Sequence, residues 1–193
     1  VISSFSTVGN YDYGIFWYLY LDGTIELEMK LTGIVGISAH NEEIHNPEQD
    51  MKITEELVSP IHQHLFNVRI DWFLDGGKNK LIETNAERVP IGNKNPHGTQ
   101  FQAISSHLKK ESEAKRNIAP EKSRVWKITN PNKKNSIGGE SAYKFLPGYS
   151  PVLLSDFDSP TGKRASFAKY NLWATPFETV SYTHLTLPTM DSV

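Results

Sequence analysis

The sequence contains no cysteine among its 193 residues. Disulfide bonds, thiolate nucleophiles and cysteine-based zinc sites are therefore excluded. Any metal that this chain binds must be held by histidine, carboxylate or carbonyl ligands.

The chain also lacks an excess of charge of one sign and a long apolar run. Lys and Arg number 20 and Asp and Glu number 22, which leaves a net charge of -2. Neither nucleic acid nor an anionic membrane surface is therefore indicated as a partner. No apolar run approaches the roughly 20 residues that a membrane-spanning helix requires, so no membrane segment is predicted in this portion. The chain begins with Val1, and nothing in it indicates a cellular compartment.

Extended, aromatic-rich segments dominate the first part of the chain. Residues 1–36 favour β-strand, and Asp22-Gly23 separates an extended run over 13–21 from another over 24–33. This dipeptide is typical of a two-residue hairpin turn, because both turn positions require a positive φ. In the second run, apolar and charged residues alternate, which predicts one buried and one solvated face. The apolar residues are Ile25, Leu27, Met29 and Leu31.

The remainder of the chain is predicted to consist of short strands joined by long loops. Residues 38–60 show no periodicity and are predicted to form a surface excursion, and a short helix is expected over 112–117. The spacing of the elements predicts an all-β fold, an antiparallel β-sandwich with long loops and a little helix. Strands are expected over 61–72, 80–89, 123–129, 143–146 and 152–154.

Two histidines in this sequence have a spacing that suits a metal site. His62 and His64 are separated by Gln63, and residues two apart on a strand point to the same face, so both imidazoles could bind one metal. Imidazole suits copper, zinc, iron or nickel, and a copper(II) site of nitrogen and water is compatible with the absence of thiolate. Taken alone the pattern is weak, because it also occurs in cupins and zinc hydrolases.

A longer motif, TVGNYDY, covers residues 7–13, and its Tyr11 lies 51 residues before His62. Together with the later HQH, this segment resembles the copper amine oxidases. In that family, the tyrosine of T-x-x-N-Y-[DE] is oxidised by the enzyme's own copper and dioxygen to the cofactor topaquinone. The similarity continues through KITNPNKKN, AYKFLPG, KRASFA and NLWATPF and covers residues 1–177.

The resemblance implies a role for each residue of the two motifs. Tyr11 would be the topaquinone precursor, and His62 and His64 would hold copper beside it. Thr7 and Asn10 match the residues that lead into the cofactor, and Asn10 would help to hold its ring in the productive orientation.

Two further positions are matched outside these motifs. Thr32, in KLTG, matches a threonine that hydrogen-bonds a cofactor oxygen. Asp71 matches a ligand of the family's peripheral cation site, which would take calcium or a similar ion. Phe73 stands where many members have a second acid.

The activity that the resemblance implies is oxidative deamination. A primary amine, dioxygen and water would give aldehyde, ammonia and hydrogen peroxide, and the full-length enzyme would be a homodimer. The family's catalytic aspartate would precede Val1 and its third copper histidine would follow NLWATPF. His184 does not match that histidine in its flanks or spacing. We therefore expect the 193-residue chain by itself to be inactive and poorly folded.

Two other functions stay open on the residues alone. One is a non-catalytic β-sandwich module that binds a metal or a protein partner. The other is a cupin-like metalloenzyme in which HQH forms half of a different site. Neither alternative predicts TVGNYDY.

The last residues, 178–193, differ in composition from the chain before them. Their string VSYTHLTLPT resembles a translated cloning adapter. We therefore interpret 178–193 as non-native sequence that follows a partial catalytic domain over 1–177.

Overall fold

The computed structural model describes residues 1–41, 43, 46, 48–148 and 150–176. Every strand pairing among them is antiparallel, and helix is limited to α1, Pro160–Arg164, and two short 3-10 turns. The predicted all-β class with a little helix is confirmed. No helix in these ranges has the length and apolar character to cross a membrane. The chain divides into two compact units, Val1–Gln63 and His64–Val193.

The first unit is built around a three-stranded meander in the order β1-β2-β3. The predicted hairpin between β2 and β3 is confirmed, and its loop is one residue longer than Asp22-Gly23 alone. The Tyr20 N–H donates to the Thr24 carbonyl, and Gly23 adopts a φ of +86°, as in a three-residue hairpin loop that ends on a left-handed glycine. The strands are β1 Ile2–Val8, β2 Tyr11–Leu19 and β3 Ile25–Gly33.

The prediction that β3 buries its apolar face is wrong at both ends of the strand. Ile25 is 53% exposed and Leu31 is 55% exposed, whereas Leu27 and Met29 are half-buried. Alternation records which face a strand is able to bury, and covering that face depends on residues far away in the sequence.

The segment that was predicted to be an aperiodic excursion contains a second small sheet. Its strands are β4 Ser38–Ala39, β5 Asp50–Lys52 and β6 Leu57–Pro60, in the order β4-β6-β5. Val58 and Ser59 of the central strand are buried. Strands of two to four residues are too short to show a period of two, so the pattern could not reveal them.

The second unit contains a four-stranded sheet in the order β11-β10-β7-β8 and a two-stranded pair of β12 with β9. The strands predicted over 80–89, 123–129 and 143–146 are confirmed to within a few residues, except that β10 continues beyond its predicted end. The strands are β7 Lys80–Arg88, β8 Phe101–His107, β9 Lys115–Arg116, β10 Val125–Lys134, β11 Glu140–Phe145 and β12 Leu172–Trp173.

Three predicted elements in this unit are wrong. The expected helix over 112–117 is replaced by a turn and by β9, because Ala114 is buried and its carbonyl accepts from the Ala174 N–H. Residues 64–72 of the strand expected over 61–72 form no ladder, and neither does 152–154. Leu153 instead buries its side chain and donates its N–H to the Ala168 carbonyl. At Ala114 and Leu153, tertiary contacts override local propensity.

A buried carboxylate organises the core of the second unit. Glu83 of β7 is 3% exposed, and Trp126, its partner on the neighbouring strand β10, is fully buried. Arg116 donates two hydrogen bonds to the two oxygens of Glu83, at 2.7 and 2.6 Å, and the Trp126 indole N–H donates a third at 3.0 Å. Arg124 lies 3.3 Å from the same carboxylate and donates to the side chain of Asn85. One carboxylate therefore joins β7, β9 and β10.

Burial and pairing shift the pKa of Glu83 in opposite directions. Burial raises the pKa of the carboxyl group, but the hydrogen bonds from Arg116 and Asn85 and the charge of Arg124 outweigh it and lower the pKa below its ordinary value. The carboxylate accordingly stays ionised in the folded chain.

The first prediction is that Glu83→Gln weakens the second unit strongly. Removing the carboxylate leaves two guanidinium groups without their partner, which costs about 3 kcal/mol when such a pair is buried. Hydrogen exchange of the β7 and β10 amides, measured by mass spectrometry, gives the free energy of opening. Glu140→Gln is the control, because its pair with Lys80 is more exposed to water and its loss should matter far less. An equal fall in the free energy of opening for Glu83→Gln and Glu140→Gln would contradict this role of Glu83.

The second prediction concerns the stabilisation by Glu83 at acidic pH. Since the pKa of Glu83 is lower in the folded chain than its ordinary 4.5, its stabilisation is complete above that value and is lost as the pH falls through the folded-state pKa. The difference in Tm between the wild type and Glu83→Gln should therefore be constant near neutral pH and shrink below about 4.5. Thermal melts of the full-length protein and its Glu83→Gln variant across this range test it, and a difference in Tm that stays constant in acid would refute it.

Candidate active site

Tyr11 begins β2, and its hydroxyl is the centre of a small polar cluster in the first unit. Its side chain is half-buried. The Tyr11 Oη lies 3.0 Å from the His62 Nε2, and the two ring centroids are 5.7 Å apart. The chain therefore brings together two residues that lie 51 positions apart.

The other nitrogen of His62 fixes which tautomer faces the tyrosine. His62 Nδ1 lies 2.7 Å from the Pro60 carbonyl oxygen. A carbonyl oxygen can only accept a hydrogen bond, so in the neutral ring the proton is assigned to Nδ1 and the lone pair to Nε2. The Tyr11 hydroxyl then donates to Nε2. A histidine whose one nitrogen is held by a carbonyl while the other presents a lone pair is prepared for metal binding.

A main-chain group holds the phenol oxygen from another direction. The Gly36 N–H donates to Tyr11 Oη at 3.0 Å. The oxygen thus accepts one hydrogen bond from the backbone and donates one to an imidazole, and the two together restrict the position of the ring.

Other tyrosines of the same strand region are held differently. Tyr18 donates to Glu28 at 2.6 Å and Tyr20 donates to Glu26 at 2.8 Å. The hydrogen bond to Glu28 is the largest cause that raises the pKa of Tyr18, to about 12. Those phenols are paired with carboxylates, whereas Tyr11 is paired with a group that binds transition metals.

The register of β2 with its neighbours separates the predicted site residues onto two faces. Asp12 is opposite Thr7 on β1 and opposite Thr32 on β3, and Thr7 Oγ1 donates to Asp12 at 2.5 Å. Because side chains alternate along a strand, this trio shares the face opposite to Tyr11. The sheet thus does not place Thr7 or Thr32 on the face of the Tyr11 ring.

Asn10 lies in the tight turn between β1 and β2. Gly9 of this turn has a φ of +61°, the glycine position of a type II′ turn. The Asn10 carbonyl accepts from the Ile34 N–H at 2.7 Å. The contact with the end of β3 is therefore made by the Asn10 main chain.

The remaining predicted ligands lie at or beyond the boundary between the units. Gln63 ends the first unit and His64 begins the second, so the pairing of His62 with His64 at one metal stays a prediction. Asp71 is exposed. The ring centroids of the next residue, Trp72, and of Tyr143 are 5.6 Å apart. Within the described ranges, no three His, Asp or Glu residues gather into a metal-binding group. His184 lies outside those ranges.

Sequence reasoning did not single out Pro60, Gly33 or Gly36. Pro60 and Gly36 act through main-chain atoms, which leave no signature in residue types. Gly33 was detectable in principle, because a glycine at the end of a strand pattern indicates a close backbone approach.

The chain resembles known proteins over most of its length. It is 44% identical over 179 residues to a histamine oxidase of Arthrobacter globiformis, with 91% of this chain and 25% of that protein covered. It is 40% identical to a primary amine oxidase of Arthrobacter sp. strain P1, over 92% of this chain and 27% of that one. It therefore spans about a quarter of the length of these relatives.

A solved structure agrees with the sequence relatives. A copper-containing benzylamine oxidase from Hansenula polymorpha matches with a TM-score of 0.82 and 28% identity, over 91% of this chain and 28% of that one. The family model of the copper amine oxidase enzyme domain matches residues 1–183. These matches confirm the resemblance that TVGNYDY and HQH carry, and the chain belongs to the copper amine oxidase family.

Proposed function

We propose that this chain contributes the cofactor tyrosine and part of the copper site of a primary amine oxidase. The observation that carries the proposal is the hydrogen bond of 3.0 Å between Tyr11 Oη and His62 Nε2. An oxidisable phenol needs a redox metal within a few ångströms, and here its oxygen lies against an imidazole nitrogen that suits copper. Since the chain spans about a quarter of its relatives, the activity of the whole protein belongs to this proposal.

The chemistry of the donor set agrees with copper. His62 presents a lone pair at Nε2, because its Nδ1 is engaged by the Pro60 carbonyl. His64 is the second proposed ligand, and no thiolate of this chain competes, since the chain has no cysteine. Imidazole nitrogen with water is a ligand set typical of copper(II).

Bound copper would supply the means of oxidising Tyr11. Two dioxygen molecules per tyrosine balance the change, because the ring gains two oxygen atoms and loses two hydrogens while one hydrogen peroxide is released. The chain's own contribution is placement. Before copper binds, the Gly36 N–H and the Nε2 of His62 hold the phenol oxygen, so the ring is oriented before any reaction. Copper at Nε2 would replace the hydrogen bond from the hydroxyl, and the Gly36 N–H would continue to hold the oxygen.

The resulting quinone would supply an electrophilic carbonyl for a primary amine, as covalent catalysis requires. The net reaction converts the amine, dioxygen and water to aldehyde, ammonia and hydrogen peroxide. Relatives named for histamine, methylamine and primary amines support an amine as the substrate class. A homodimer and a peripheral cation ligated by Asp71 complete the proposal.

The third prediction is that Tyr11 is modified in the full-length protein. After expression with copper in aerated medium, the peptide that contains Tyr11 should have gained two oxygen atoms and lost two hydrogens. Mass spectrometry of a digest measures the change, with protein prepared without copper as the reference. Unmodified tyrosine in copper-loaded, aerated protein would contradict the proposal and favour a non-catalytic β-sandwich module.

The same measurement on His62→Ala tests the metal ligand. Loss of this imidazole should lower the copper content and leave Tyr11 as plain tyrosine. His107→Ala is the matched control, because His107 lies on β8 of the other unit and should alter neither value. Normal quinone formation in His62→Ala would exclude His62 as a required ligand.

The fourth prediction separates metal binding from chemistry. Tyr11→Phe removes one oxygen atom and keeps the shape of the ring, so we expect copper binding to persist and amine-dependent peroxide production to disappear. Copper analysis and a peroxide assay measure the two quantities side by side. Residual peroxide production at the wild-type rate would show that Tyr11 is not the cofactor precursor.

A further inference from the structure

We infer that segment 33–36, directly after β3, positions the Tyr11 ring, and that Gly33 is a positioning residue for the formation of the quinone. The inference rests on the proposed function and adds a residue to it. It starts from the main chain, because the contacts that hold Tyr11 on this side come from backbone atoms.

Gly33 packs against the main chain that carries Tyr11. A Cβ at Gly33 would overlap the Asn10 carbonyl oxygen and would lie 2.8 Å from the Tyr11 Cα and 2.9 Å from the Asp12 nitrogen. All three atoms belong to a backbone and cannot rotate away as a side chain could. Gly33 also has a φ of +110°, which disfavours any residue with a Cβ. The close approach of β3 to the start of β2 therefore requires glycine.

Two hydrogen bonds continue this approach along the segment. The Ile34 N–H donates to the Asn10 carbonyl at 2.7 Å, and the Gly36 N–H donates to Tyr11 Oη at 3.0 Å. The first holds the peptide unit that precedes Tyr11, and the second holds the far end of its side chain. The segment thus fixes the residue at both ends.

Alanine at position 33 should displace the phenol oxygen of Tyr11. A methyl group at position 33 must push the backbone of β2 away from β3, and the displacement is carried to the phenol oxygen. That oxygen would leave hydrogen-bonding distance of Gly36 and His62. A misplacement of about 1 Å can cost roughly 100-fold in rate for a reaction that depends on alignment.

The test, which is the fifth prediction, compares Gly33→Ala with the wild type in the full-length protein. Metal-free protein is loaded with copper under dioxygen, and the modified Tyr11 peptide is measured against time at equal bound copper. We expect quinone formation to slow by roughly 100-fold while copper binding stays unchanged, since no proposed ligand lies on β3. A variant that forms the quinone at the wild-type rate would overturn the inference and leave the proposed function standing.

Two controls separate positioning from general damage. Gly14→Ala adds a methyl group within the same sheet, where the nearest atoms belong to the side-chain rings of Phe5 and Phe16. Gly138→Ala places a Cβ at a φ of +80° with nothing within 4 Å, so it introduces backbone strain without a clash. Both should form the quinone at the wild-type rate. A rate lowered equally in all three variants would overturn the inference.

Crystal structures of the metal-free proteins give a readout that is independent of oxidation. The contact between Tyr11 Oη and His62 Nε2 should be kept in the wild type and in Gly14→Ala and lost in Gly33→Ala. Its retention in Gly33→Ala would overturn the inference. If the wild type forms no quinone, the proposed function fails, and these structures still decide whether Gly33 positions the ring.

A second variant covers the case in which Gly33→Ala does not fold. Replacing Ile34 by its α-hydroxy acid analogue turns one amide into an ester and removes only the N–H that donates to Asn10. Quinone formation should again slow at equal copper. Quinone formation at the wild-type rate in this variant would overturn the positioning role of segment 33–36.

Discussion

The register between β2 and β3 is the constraint on which the first unit depends. Nine consecutive residue pairs, from Tyr11 with Gly33 to Leu19 with Ile25, define it. A slip of one residue would exchange the two faces of the strand. Tyr11 would then point away from His62, and a residue with a side chain would replace Gly33 where β3 meets the Asn10 turn. Alignment of the site is therefore a property of the whole hairpin.

The two units hold their central polar groups in contrasting ways. In the second unit, Glu83 is ionised and is saturated by Arg116, Arg124 and Trp126, so the cluster is a fixed structural centre. In the first, the Tyr11 hydroxyl makes neutral hydrogen bonds to one imidazole and one amide. Hydrogen bonds from two directions orient this oxygen, which suits a group that must be aligned for reaction.

Structural features that depend on residues close together in the sequence could be predicted, and features that depend on distant residues could not. The β2–β3 hairpin followed from a local glycine turn and from strand propensity, and the family followed from two short motifs. The helix expected over 112–117 failed because β9 pairs with residues more than fifty positions away, which no local pattern records. The facing of Thr32 toward Asp12 required the register itself. Motif matching identifies residue types, and it leaves open which face each one occupies.

Three main-chain groups support the placement of Tyr11: the Gly36 N–H donates to its hydroxyl, the Pro60 carbonyl holds His62, and the Asn10 carbonyl holds Ile34. Replacing a side chain leaves such groups in place, so these positions can change identity and still serve the site. A change in chain length acts differently, since a residue inserted or deleted between Gly33 and Gly36 displaces the Gly36 amide relative to Tyr11. The number of residues from Gly33 to Gly36 is therefore constrained by the position of the phenol oxygen, independently of the chemistry of their side chains.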